Sequence, residues 1–279
     1  MSGFLDEMAR SSTERVNQAM ALEPLAELEK RARATPRGAR LKLSAAGFDV
    51  IAELKLRSPA AGLLGSLRDD WLKRVKAYAE GGAAAVSVLT EPSRFDGSLE
   101  HLKQACAVLA PLRVPAMRKD FIVDPYQVLE ARAAGAGGVL VIIRMLSSAQ
   151  MMELLDASAE HRLFVLLEAF DGADLIAARE LLAARSGRLG TAGDEILVGI
   201  NSRDLQTLDV VPERFEDLAA QLPGDRPAVA ESGVASAADA LRMMRLGYRL
   251  ALIGTALMSR DDPAQLLREI LTTTRTARG

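Results

Sequence analysis

The chain has 279 residues, 49% of them hydrophobic and 26% charged, the make-up of a globular protein with a sizeable core rather than of a disordered one. Its 35 Lys and Arg nearly balance 37 Asp and Glu, for a net charge of -2, and aromatic residues are only 4%. This excludes both the electrostatic footprint and the stacking platform of a nucleic-acid binder, so an anionic ligand has to find a local site.

In chain order, the opening "MSGFLDEMARSSTERV" lacks the apolar core of a signal peptide. Residues 1–48 hold two expected helices, about Phe4 to Met20 and Glu23 to Ala34. Their mixed apolar and charged faces suit an extension laid against the end of a larger body. From Asp49 onward eight short apolar runs follow: "DVIAELK", "AAVSVLT", "VPAMRKD", "GGVLVII", "LFVLLEA", "EILVGIN", "PAVAES" and "LALIGT". They contain few alternating polar positions, as strands of a parallel sheet buried on both faces do. An amphipathic stretch succeeds each run. In "DDWLKRVKAYAEGG", for example, Trp71, Leu72, Val75 and Tyr78 stand at helical spacing and glycines close the segment.

Eight such pairs predict a (β/α)8 TIM barrel with an N-terminal helical extension, residues 1–279 forming a single domain and 1–48 packing on the barrel. The run "GGVLVII" is far too short to span a bilayer. The one cysteine, Cys106, cannot form an internal disulfide, and its spacing from Leu102, Val108 and Leu109 reads as a small core residue. A cytoplasmic protein is expected, with no membrane, nucleic-acid or obligatory protein partner.

In such a barrel the chemistry sits at the C-terminal ends of the strands. Those ends carry Glu53 and Lys55, two apart and so on one face; Lys119; Glu168; Asn201 with Arg203 two residues on; and Glu231 with Ser232. Ion pairs that merely close the barrel would account for any one of these pairs, but less well for five strands converging on one mouth. Acids, ammonium groups and an amide crowded together set protonation states against one another, which lets one site hold both an acid and a base. After the seventh and eighth runs, "AESGVAS" and "LIGTALMS" place a glycine and small residues before a helical stretch, the usual position of a phosphate site in a barrel. Either glycine alone would serve equally well in a tight turn. His101 and His161, the only histidines, fall in helical stretches, no cluster has metal-ligand spacing, and no G-x-G-x-x-G follows the first run. No metal and no cofactor are expected.

The segments "IAELKLRSPAAG", "SVLTEPSRFDGSLEHL", "MRKDFIVDPYQV", "LLEAFD", "VGINSRDLQT", "AESGV" and "LIGTALM", in that order over about residues 48 to 260, resemble the indole-3-glycerol phosphate synthase family of tryptophan biosynthesis. The resemblance implies a metal-free lyase that closes the pyrrole ring of 1-(2-carboxyphenylamino)-1-deoxyribulose 5-phosphate with loss of carbon dioxide and water. It assigns Lys119 as the acid at the ketone oxygen and Glu168 as the general base. Lys55 is left as an anchor for an anionic group, as the acid of dehydration, or as both, and Glu53 as the residue that positions the lysines, with Glu231 and Asn201 as polar partners. It implies Ser58, Asn201 and Arg203 near the substrate's anions or hydroxyls, Phe95 and Phe121 against the aryl ring, and Ser232, Gly233, Gly254 and Thr255 around the phosphate. Plain core is an equal reading of Phe95.

The sequence departs from the family pattern twice. Ala60 and Ala61 stand where a small polar residue and a lysine are common, and Ser202 stands between Asn201 and Arg203 where a second asparagine is expected. Two other readings fit the sequence less well. A phosphoribosylanthranilate isomerase would need a cysteine and an aspartate at strand ends, and Cys106 lies in a helical stretch. A non-catalytic paralogue would be favoured by loss of the lysine or glutamate, and Lys119 and Glu168 are both present.

Overall fold

Eight parallel strands close into a barrel: β1 (Asp49–Leu54), β2 (Ala85–Leu89), β3 (Ala116–Lys119), β4 (Gly138–Ile142), β5 (Phe164–Ala169), β6 (Ile196–Asn201), β7 (Ala228–Glu231) and β8 (Leu250–Ile253). Each pairs with the next in sequence, and β8 returns to β1 through Asp49 opposite Leu250. The computed structural model describes residues 3–45, 47–58, 62–63, 71–186, 195–204, 207 and 209–277, with backbone alone at 58, 62 and 63. The (β/α)8 TIM barrel with helices before it is the architecture the alternating runs predict.

Register explains why near-continuous apolar runs build two different surfaces. Ile51, Ala85, Met117, Leu140, Leu166, Leu197, Val229 and Leu252 fill the barrel interior. Their neighbours Val50, Ala52, Val86, Val88, Val139, Val165, Val198 and Ala230 pack outward beneath the helices. The helices start where side chains satisfy the unpaired N–H groups of the first turn: Ser98, Asp124 before Pro125, Ser147 in a capping box with Gln150, Asp171, Ser236, and Asp262 before Pro263.

Several short elements have no counterpart in the periodicity reading. The helix Pro92–Phe95 is built on the Glu91 carboxylate, which accepts from the N–H groups of Ser93 (2.8 Å) and Arg94 (2.7 Å). Arg57–Ser58 pairs antiparallel with Gly62–Leu63. Thr255, expected to end the last strand, instead opens the helix Thr255–Met258. Segments this short never complete a period.

The N-terminal extension consists of α1 (Gly3–Leu22) and α2 (Leu25–Ala34), and its tail reaches the opposite end of the barrel. Leu5 and Met8 of α1 join the interior cluster together with Phe121 and Phe170, whereas Val16, Leu28 and Ala32 pack on Tyr126, Leu129 and Ala133. Beyond α2 the chain runs past the N-terminal ends of the strands. Arg40 pairs with Glu195 just ahead of β6, and Arg249, just ahead of β8, donates to the carbonyls of Ser44 (2.7 Å) and Gly47.

Candidate active site

The C-terminal strand ends surround a cavity of about 410 Å3. Glu53, Lys55, Phe95, Lys119, Phe121, Glu168, Asn201, Arg203, Glu231, Ser232, Gly233, Gly254 and Thr255 all line it. The side chain of Ser58, and Ala60 and Ala61, lie outside the described residues.

At the centre Lys119, ending β3, reaches across the mouth. Its Nζ lies 3.1 Å from Glu168 Oε2 of β5 and 3.9 Å from Glu231 Oε2 of β7. A second pair, Lys55 with Glu53, closes at 3.2 Å. Burial works against the Lys119 ammonium, but Glu168, Glu231 and Glu53 outweigh it and raise its pKa. Glu53 is likewise buried, and the charges of Lys55 and Lys119 overcome that cost to lower its pKa. Glu231 goes the other way: burial and the neighbouring Glu168 charge push it well above the ordinary carboxylate value. Ionised, neither Glu231 oxygen meets a hydrogen-bond donor; protonated, it becomes the donor to Glu168. One mouth therefore favours the charged forms of Lys119 and Glu53 while Glu231 holds its proton more tightly than an ordinary carboxyl.

Space for this cluster comes from residues without side chains. Glu168 lies level with Gly199 of β6, and a Cβ at Gly199 would strike the Glu231 carboxylate. A Cβ at Gly254 would come within 2.5 Å of Glu53 Oε1 and 3.2 Å of Lys55 Nζ. Gly254 thus makes room for the ion pair as well as bordering the predicted phosphate pocket.

Asn201 is oriented by its own neighbourhood: Oδ1 accepts from Ser232 Oγ (2.9 Å) and from the Arg203 N–H (3.0 Å), so its amide nitrogen is the donor left for a ligand. The turn after β6 is braced by Arg214, which donates to the carbonyls of Asn201 (2.9 Å) and Arg203 (3.1 Å). Ser202 is fully buried, with its hydroxyl 3.2 Å from the Ser232 carbonyl. That departure from the family pattern is thereby absorbed in packing between the ends of β6 and β7. Ser232 (φ 66) and Gly233 (φ 80) adopt left-handed backbone in succession. Both residues border the cavity on the side of the predicted phosphate pocket.

Sequence reasoning missed one wall. Phe4 and Leu5 of α1 line the cavity with Leu140, Ile142 and Val210. Phe4 meets Phe121 edge to face at 5.9 Å, and Phe121 lies 6.4 Å from Phe95. The apolar face of α1 was visible in the sequence; which end of the barrel it covers was not. His101 and His161 sit in the helices Leu99–Leu109 and Ser148–His161, and among the described residues no cluster of His, Cys, Asp and Glu could hold a metal ion.

A (β/α)8 barrel whose mouth joins two lysines, buried carboxyls with opposed pKa shifts and an aromatic wall is the frame of an acid–base enzyme acting on a small molecule. The comparisons are more specific. Residues 5–270 match the family model for indole-3-glycerol phosphate synthase. A Nocardioides protein of that name is 43% identical over 84% of each chain. Its counterpart from Rhizorhabdus wittichii is 38% identical over 98% of this chain and 99% of its own. The solved structure of 3-hexulose-6-phosphate synthase from Salmonella typhimurium matches with a TM-score of 0.62 at 14% identity, over 83% of this chain and all of the other, which speaks for the fold alone. The chain belongs to the indole-3-glycerol phosphate synthase family, carboxy-lyases of tryptophan biosynthesis. Among the described residues no helix is long and apolar enough to cross a membrane.

Proposed function

We propose that the chain converts 1-(2-carboxyphenylamino)-1-deoxyribulose 5-phosphate to indole-3-glycerol phosphate, with Lys119 as acid and Glu168 as base. The 3.1 Å approach of Lys119 to Glu168 across the mouth, with Glu231 behind them, carries the reading. The ring carbon bearing the carboxylate attacks the ketone carbon, and as that bond forms the carbonyl oxygen takes a proton from Lys119. The carboxylate then leaves as carbon dioxide, its bonding electrons restoring the aromatic ring. In the last step Glu168 removes a proton from the carbon beside nitrogen while the hydroxyl departs, protonated by an ammonium group, as water.

Phe95 and Phe121 hold the aryl ring, and Ser232, Gly233, Gly254 and Thr255 hold the phosphate. Asn201 and Arg203 take the hydroxyls, Ser58 and Lys55 an anionic group, and Glu53 fixes Lys55 at 3.2 Å. The contribution of Leu5 and Met8 to the barrel core supports treating extension and barrel as one domain. The single cysteine suits a reducing, cytoplasmic setting.

The test is fluorescence-monitored formation of indole-3-glycerol phosphate in the presence of a chelator. Wild type should turn over, and Lys119→Ala should lose about 10²- to 10⁴-fold in turnover while keeping product affinity. Near-normal turnover by Lys119→Ala would remove the assignment of the acid.

A further inference from the structure

The strand end at Arg118–Asp120 serves two compartments. Lys119 turns into the cavity; Arg118 and Asp120 on either side of it are buried and paired with each other, and Asp120 also borders the cavity. The Asp120 carboxylate accepts from both arms of one guanidinium, Arg15 Nη1 at 3.1 Å and Nη2 at 2.8 Å. It also accepts from Thr90 Oγ1 (2.7 Å), Arg118 Nη2 (3.1 Å) and the Phe121 N–H (2.9 Å). One turn before Arg15 on α1, Ser12 donates to the Phe121 carbonyl and accepts from Gln127 Nε2 at 2.9 Å. A planar fork on a carboxylate fixes orientation as well as distance. The turn that follows Lys119 is thus gripped by a helix that precedes it by 105 residues, the same helix that brings Phe4 and Leu5 to the cavity.

We infer that Arg15, acting through Asp120, is a positioning residue for Lys119, so that α1 sets where the ammonium group stands relative to Glu168. This rests on the assignment of Lys119 as the acid. Lys119 is the last residue of a four-residue strand, and beyond it the backbone is held by the Asp120 network rather than by the sheet. A displacement of about 1 Å at a reacting group costs on the order of 10²-fold in rate.

The experiment compares wild type, Arg15→Ala and Arg15→Lys in turnover, KM and the pH profile of kcat. In parallel, amine modification of Lys119 is followed against pH by mass spectrometry, which needs no turnover. Loosened from Glu168, Glu231 and Glu53, with Lys55 and Arg203 also facing the mouth, the ammonium is left to the effect of burial and gives up its proton more readily. Arg15→Ala is therefore expected to lose on the order of 10²-fold in kcat, with KM within about 3-fold of wild type. Its alkaline limb should move to lower pH, and Lys119 should be modified at lower pH. Arg15→Lys, which keeps the charge but not the fork, should fall between the two proteins and carries the test if Arg15→Ala does not fold. A folded variant with wild-type kcat, or one with reduced kcat but an unmoved pH profile and unmoved Lys119 modification, overturns the inference. If wild type itself forms no product, the reaction assignment falls, and the modification profile still decides whether Arg15 positions Lys119.

Discussion

The Asp120 carboxylate makes the acid stability of this fold calculable. Burial alone would push its pKa up, but the charge of Arg118, the Arg15 fork and the Thr90 hydroxyl reverse this and hold it at about 2, against an ordinary 3.8. A carboxyl whose pKa falls by that much on folding contributes about 2 kcal/mol at neutral pH. Because the folded value is the lower one, this stability is fully present above 3.8 and disappears as pH falls through about 2. By pH 3 about 1 kcal/mol of it has gone. Asp120→Asn carries no such group, and the protein's other carboxyls cancel when the two chains are compared. Urea unfolding at pH 7, 5 and 3 should therefore show the gap in stability between wild type and Asp120→Asn unchanged from pH 7 to 5, then narrowed by about 1 kcal/mol at pH 3. A gap that stays constant down to pH 3 would refute the reasoning.

Two further outcomes follow from the packing. Gly199→Ala places a methyl group against the Glu231 carboxylate and within 3.0 Å of Leu166, so it should cost about 1–3 kcal/mol of stability and lower turnover together; wild-type values for both would remove the packing argument. Burial pushes the Cys106 thiol up to about 12, leaving little thiolate at pH 8, so iodoacetamide should label it slowly and turnover should survive labelling. Fast labelling, or activity lost in step with it, would contradict that.

Most of the barrel was legible because each strand and helix carries its own signal. The runs alternate with capped amphipathic stretches, and the charges at their ends stand where a barrel puts its chemistry. Lys55, Lys119, Glu168 and Glu231 could be picked out because a charge at the end of an apolar run needs a local reason. Phe4 could not, since its apolar face suits either end of the barrel, and only packing against Phe121 decides which. The same limit applied to Arg118 and Asp120. They pair with each other at 3.1 Å across two positions of one strand end, but Arg15 joins them from 105 residues away. Pairing at that separation leaves no trace in periodicity. Gly199 was hidden for another reason, since its importance lies in the volume that Glu231 occupies.

The alternation at the end of β3 also bears on how this segment can vary. In "MRKDF", Met117, Lys119 and Phe121 face the barrel interior and cavity while Arg118 and Asp120 pair on the helix side, so a substitution meets one compartment first and reaches the other through the backbone they share. Inserting or deleting a single residue exchanges the two sets. An arginine or aspartate would then enter the substrate cavity, and the lysine would leave Glu168 and Glu231 for the helix layer, where Arg15 and Glu130 stand. A change in length thus disturbs both compartments at once, which no single substitution does directly.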